Sequence, residues 1–253
     1  MLYDVISSGS KGNATLVLSG NHALLLDFGI SKKRIVEALN EYGLGFSDID
    51  AFFLTHGHDD HASDAFQAPL EKLFAPFVKI PKREEKLLPG NLLKPFSVYG
   101  AGPFKVTVLP LSHDFPNTVG FLVEDGKEKL AYVTDTGFIP EKVFPYLKDC
   151  DYLLLESNHD AKKLFESNRP DYLIKRIISD KGHLSNVDSA CYLSLFITGK
   201  TKECCLLHLS EECNDPILAR MTYEKVMMER LSYLPDVVLR VSSAKKETKG
   251  GTR

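Results

Sequence analysis

The sequence predicts an α+β fold: two β-sheets packed face to face with helices outside, in a single domain. Three observations carry this. Strand-like apolar runs come in two series, each followed by helix-like segments, over roughly 1–137 and 138–242. No internal repeat and no linker divides the 253 residues, a length that suits one large or two small domains. The chain is 43% hydrophobic, enough to bury a core without covalent staples.

The elements follow from local pattern. LYDVIS, ATLVLSG and HALLLDFG read as three strands separated by Gly, Ser and Asn turns. ISKKRIVEALNEYG reads as a helix with Ser31 as N-cap and Gly43 near its end. AFFLTH, FKVTVLPLSH, TVGFLVED, KLAYVTD and DYLLLES continue the strands. RPDYLIKRIISDKG is a helix with Pro170 in its first turn. LSNVDSACYLSLFITG opens on a capping-box spacing, Ser185 to Asp188, with Asp in place of Glu. ECCLLHLS is a strand, DPILARMTYEKVMMERLSYL a helix capped by Asp215 with Pro216 first, and DVVLRVS a last strand. Residues 243–253 lack an apolar face and are expected to be disordered.

Composition excludes several classes. A formal charge of −3 argues against a chain that is basic all over, so a polyanion must be met by a local patch. The five cysteines show no C-x-x-C spacing, and Cys204 and Cys205 lie in an apolar run, which points away from a disulfide framework. The start has no basic-then-apolar pattern of a signal peptide. No apolar run reaches the roughly 20 residues that a membrane span needs. The expectation is a soluble, cytoplasmic protein with no membrane partner.

Chemistry concentrates at strand ends. THGHDDH, residues 55–61, follows the strand AFFL. His-x-His puts two imidazoles on one side of an extended stretch, and the crowded His56, His58, Asp60 and His61 suit a borderline metal such as zinc. His113 follows VTVLPLS, Asp135 follows LAYVT and His208 ends CCLL. Asp27 ends LLLDFG, where it either caps a turn or orients a ligating His.

These residues together resemble the motif series of the metallo-β-lactamase fold, over nearly the whole chain. The resemblance implies a four-layer αββα sandwich holding two divalent metal ions. Metal one takes His56, His58 and His113; metal two takes Asp60, His61 and His208; Asp135 bridges them. SGSKGN, SHD, TDTG, ESNHD, GHLSN and HLS are similar to the WalJ/YycJ group, bacterial proteins of this fold regarded as nucleases with exonuclease action on DNA. The chain departs from that group at Thr118, where a Pro is usual. Zinc or manganese is expected, with iron also compatible: the second site is richer in oxygen, which suits manganese or iron as well as zinc.

The expected function is a dinuclear phosphodiesterase, with a metal-bridging hydroxide attacking phosphorus in nucleic acid, DNA favoured over RNA. Asp60 is placed to take the water's proton. The small residues of SSGSKGN let Ser10 and Asn13 approach phosphate. His159, in ESNHD, and Ser185, at a helix start, are further candidate substrate contacts. The basic run 160–182 is a candidate polyanion track. His183 in DKGHLSN precedes the same helix start, where an anion is favoured, so it is the candidate acid for the leaving oxygen. A His ahead of the last ligand has a similar role in nucleases of this fold that process tRNA ends. The alternatives are a glyoxalase II-like thioester hydrolase, another phosphodiesterase of this fold acting on small molecules, and a non-catalytic protein with a structural metal. TGFIP after Asp135 and the additional GHLSN argue against the first. A seven-ligand set without Cys argues against the last.

Overall fold

The computed structural model describes residues 1–244 and 246–252. Its elements run β1 (Leu2–Ser7), β2 (Ala14–Ser19), β3 (His22–Leu26), α1 (Lys32–Asn40), β4 (Ile49–Phe53), α2 (Asp59–Ala62), β5 (Leu73–Phe74), β6 (Val98–Ala101), β7 (Phe104–Pro110), β8 (Val119–Glu124) and β9 (Lys129–Val133). There follow α3 (Phe144–Leu147), β10 (Tyr152–Glu156), α4 (Ala161–Phe165), α5 (Asp171–Ile177), α6 (Asn186–Phe196), β11 (Glu203–Leu207), α7 (Pro216–Leu231), β12 (Val238–Val241) and β13 (Thr248–Gly251).

Two sheets form, in the orders β13-β1-β2-β3-β4-β5 and β12-β11-β10-β9-β8-β7-β6. Their strands are apolar on both faces, and the period of two sorts each into two cores. Leu24, Leu26, Tyr152, Leu154, Cys205 and Leu207 point into the layer between the sheets, with Phe53, Val108 and Phe121. Their neighbours Ala23 and Leu25 face outward beneath α1, against Ile35, Ala38 and Leu39. Leu153, Leu155, Cys204 and Leu206 face outward on the other sheet beneath α6 and α7, against Leu193, Phe196, Tyr223 and Met227. The result is the four-layer sandwich of the metallo-β-lactamase fold.

The two series expected at 1–137 and 138–242 do not coincide with the two sheets. The second sheet begins at β6, because β6 to β9 form an antiparallel meander that joins β10 by parallel pairing. The tail also departs from expectation. Residues 248–251 pair antiparallel with β1. This strand needs no apolar face, since backbone bonds at a sheet edge hold it. A side chain at Gly250 would meet the Tyr3 ring and the Glu203 carboxylate. Caps follow the sequence more closely. Ser185 and Asp188 close a capping box on α6, and Asp215 accepts from Leu218 N–H at the start of α7. Ser31 stands at the N-cap of α1 without a side-chain cap bond. The five cysteines are free thiols, and among the described residues no helix is long and apolar enough to cross a membrane.

Strand direction decides where the chemistry gathers. β3 runs parallel to β4, and β9, β10, β11 and β12 run parallel to one another. Two antiparallel steps make β7 parallel to β9. The carboxyl ends of β3, β4, β7, β9, β10 and β11 therefore open onto one edge of the sandwich, where ligands bind in such sheets.

Candidate metal centre

Three of those strand ends carry backbone strain. Asp27, Asp135 and His208, each just beyond β3, β9 and β11, take positive φ values of 61°, 50° and 56°. Such conformations cost on the order of 1–3 kcal/mol in a non-Gly residue and persist where surrounding structure enforces them. Each turns a side chain back toward the same point.

His56, His58 and His113 form one group whose ligand atoms lie within 4.8 Å of one another; Asp60, His61 and His208 form a second. Asp135 lies between them, with Oδ2 at 2.8 Å from His61 Nε2 and Oδ1 at 4.0 Å from His113 Nε2. It also belongs to a group with Glu156, His183 and His208. All eight sequence candidates at this edge, His183 included, thus converge on one place.

Three of the imidazoles are oriented from behind. His61 Nδ1 donates to Asp27 Oδ2 at 2.8 Å. Asp27 is fully buried, and also accepts from Thr55 N–H, Thr55 Oγ1 and Tyr132 OH. Since Thr55 Oγ1 donates to Asp27, it accepts from His56 Nδ1 at 3.0 Å. His113 Nδ1 donates to the Gly182 carbonyl at 3.1 Å. Bonds of this kind fix the tautomer and leave the other nitrogen for a metal. A side chain at Gly182 would collide with the Ile177 and Arg176 carbonyls, 2.1 and 2.3 Å away, so glycine lets the loop close over the end of α5.

Glu156, like His159, follows the apolar run DYLLL in ESNHD, a position from which the sequence allows it either to line the mouth of the site or to pack its rim. Its buried carboxylate accepts from His183 Nδ1 at 2.7 Å and His208 Nδ1 at 3.2 Å through Oε1. Oε2 accepts from the N–H groups of Thr136 and Leu184 at 3.1 Å. Burial would raise its pKa, but His183 and His208 hold it at about 2, so it is ionised at neutral pH. The available signal was an acid ending a buried strand, the same position as Asp27 and Asp135.

The four expected substrate contacts are placed differently. Asn13 is buried, and its Nδ2 meets His61 Nε2 at 2.8 Å and the Gly9 and Asp60 carbonyls at 3.1 and 3.2 Å, so it braces the loop that carries Asp60 and His61. Ser10 is exposed; Ser8 is the hydroxyl that touches the centre, accepting from His208 N–H at 2.8 Å. Ser185 Oγ is engaged with Asp188. His159 is 2% exposed, with no hydrogen bond to Nδ1. The basic run is largely paired as well: Lys162 with Glu166, Lys163 with Asp215, Arg169 with Glu212 and Arg176 with Asp114. Thr118 is buried, and its hydroxyl closes the loop after His113 by donating to the Phe115 carbonyl at 2.9 Å.

The cluster fits divalent ions on two grounds. Among the described residues, His208 Nε2 is a buried nitrogen with no hydrogen-bond partner, 3.6 Å from Asp60 Oδ2. The carboxylates also demand positive charge. Burial opposes a proton on His61, yet Asp135 and Asp27 raise its pKa well above the ordinary value. Burial opposes one on His208 too, yet Asp135, Asp60 and Glu156 raise it to about 10. A cation between these nitrogens satisfies the same carboxylates and releases the protons. His56 and His113 are pushed down, mainly by burial, to the neutral form that ligates.

A sandwich with paired His/Asp groups at the carboxyl ends of strands from both sheets defines a metal-dependent hydrolase. The chain belongs to the beta-lactamase superfamily: the model described as Beta-lactamase superfamily domain matches residues 25–208. It is similar to exodeoxyribonuclease YycJ of Bacillus anthracis, 29% identical over 244 residues, covering 90% of this chain and 89% of that protein. It is equally similar to exodeoxyribonuclease WalJ of Streptococcus pneumoniae serotype 2, 29% identical over 239 residues and covering 87% and 86%. Among solved structures, the metallo-β-lactamase fold protein YhfI of Bacillus subtilis aligns with a TM-score of 0.67 at 16% identity, covering 98% of this chain and 99% of that one.

Proposed function

We propose that this protein is a dinuclear metal-dependent phosphodiesterase that degrades nucleic acid from an end, with DNA as its substrate. One observation carries the choice of phosphodiester over thioester. His183, donating Nδ1–H to ionised Glu156 and 3.4 Å from Asp135 Oδ1, stands beside the metal groups and is partly exposed. An alkoxide leaving group needs a proton, which a thiolate does not. The names of the two nuclease relatives support the nucleic-acid substrate.

In this reading His56, His58 and His113 hold metal one, Asp60, His61 and His208 hold metal two, and Asp135 contacts both. When bound, the ions would polarise the phosphoryl oxygens as Lewis acids and lower the pKa of a bound water. Asp60 accepts the proton of the attacking water. Glu156 keeps His183 in the tautomer and orientation that present Nε2 to the leaving oxygen. Digestion of end-labelled DNA and RNA with added zinc or manganese tests this, beside a bis-p-nitrophenyl phosphate ester and a glutathione thioester. DNA is expected to shorten from one end. Turnover of the thioester alone would overturn the proposal.

Electrostatic contact is expected at α5. Lys175 is exposed and, unlike Arg176, makes no ion pair among the described residues. Lys175→Ala should weaken DNA binding and lower the slope of log affinity against log salt by about 0.7–0.9, with the metals retained. Fluorescence anisotropy at several salt concentrations measures this, and an unchanged slope assigns Lys175 to a merely solvated face.

A further inference from the structure

Asp114 follows His113 but lies outside the two triads. Its Oδ1 is 3.2 Å from His113 Nε2 and 3.5 Å from His58 Nε2. Its Oδ2 is held by the Arg176 guanidinium on α5, through both Nε and Nη2. On the other side of its ring, His58 turns Nδ1 to within 3.0 Å of His56 Nε2. The Phe115 ring lies 5.3 Å from the His58 ring and 5.8 Å from the His56 ring, limiting the water that could take the carboxylate's place.

His61, His56 and His113 each have a partner on the nitrogen away from the metal: Asp27, Thr55 and the Gly182 carbonyl. His58 would be the exception, were it not for Asp114. We propose that Asp114 is the positioning residue for His58, accepting from Nε2–H so that Nδ1 faces metal one, and that Arg176 holds Asp114 in place. This rests on the assignment of metal one to His56, His58 and His113. It links the metal centre to α5, the helix that also carries Lys175. Arg176 is accordingly a tether for Asp114 before it is a contact for phosphate.

The distances also allow a different role, with Oδ1 bound directly to the ion, and the test separates the two. Cobalt(II) is titrated into metal-free protein carrying His208→Ala, so that only metal one is read. Visible absorption reports the coordination, and competition with a chelating dye reports the affinity. Asp114→Ala should weaken binding by about 10–100-fold, the usual cost of losing a group that orients a ligand. Asp114→Asn keeps an oxygen acceptor for Nε2–H and should retain most of the affinity and the parent spectrum. Arg176→Ala should weaken binding by less than Asp114→Ala, and Arg176→Lys should recover part of that loss. Near-UV circular dichroism of the metal-free variants checks that they fold. The proposal is overturned if Asp114→Ala binds cobalt as the His208→Ala parent does. It is equally overturned if Asp114→Asn loses as much as Asp114→Ala and changes the spectrum, the behaviour of a directly bound carboxylate. Failure of that parent to bind cobalt would instead remove the metal-one assignment itself, and this inference with it.

Discussion

Replacing His183 by Ala is expected to leave both metal ions bound and to lower turnover on nucleic acid by about 10²–10⁴-fold, the range for an absent general acid. The reason is geometric. His183 uses Nδ1 to donate to Glu156, so Nε2 is the atom available at the partly exposed mouth. Losing that imidazole removes a proton donor and takes nothing from either metal triad. The defect should be smallest on a p-nitrophenyl ester, whose leaving group departs as an anion without a proton. Rates on both substrates, with elemental analysis of each variant, measure this. A loss of equal size on both esters would assign His183 to something other than protonation.

His208→Ala is expected to lose one metal ion per chain and more than about 100-fold of activity on either ester, since a bound ion is worth several kcal/mol of transition-state charge stabilisation. His208 ends β11 with φ of 56° and brings an otherwise unpartnered buried nitrogen to face Asp60. Its removal leaves Asp60 and His61 as the unshared ligands of metal two. Both histidines precede a Leu-Ser pair and both donate to Glu156 Oε1, so only the strand-end position of His208 and the helix-start position of His183 distinguish their expected roles. Metal content tests this: if His183→Ala drops an ion while His208→Ala keeps two, the two roles are exchanged.

The local part of the centre was legible because local chemistry builds it. THGHDDH places four candidate ligands within six residues, and a polar residue after each of four apolar runs marks strand ends on one edge. Continuous apolar runs bounded by turn residues marked most of the strands, and Asp215 with Pro216 and Ser185 with Asp188 marked the starts of α7 and α6. These signals act over a few residues, within reach of a single side chain or one turn of backbone.

What surrounds the ligands was decided only by tertiary structure. Glu156 reaches across 27 and 52 residues to His183 and His208, and Asp114 meets Arg176 across 62. The Gly182 carbonyl orients His113 across 69, through a backbone atom that carries no residue identity. Asn13 and Ser185 read as candidate phosphate contacts, yet they spend their polar atoms on the protein itself, because buried donors and acceptors are paired wherever partners are near. β13 has no signature in the sequence for a related reason: an edge strand is held by backbone bonds to β1, and its side chains need show no pattern. The residue types and spacing of this chain determined its candidate ligands and most of its strands. The packing of its two sheets decided which carboxylate faces which imidazole, since that choice depends on distances between segments far apart in the chain.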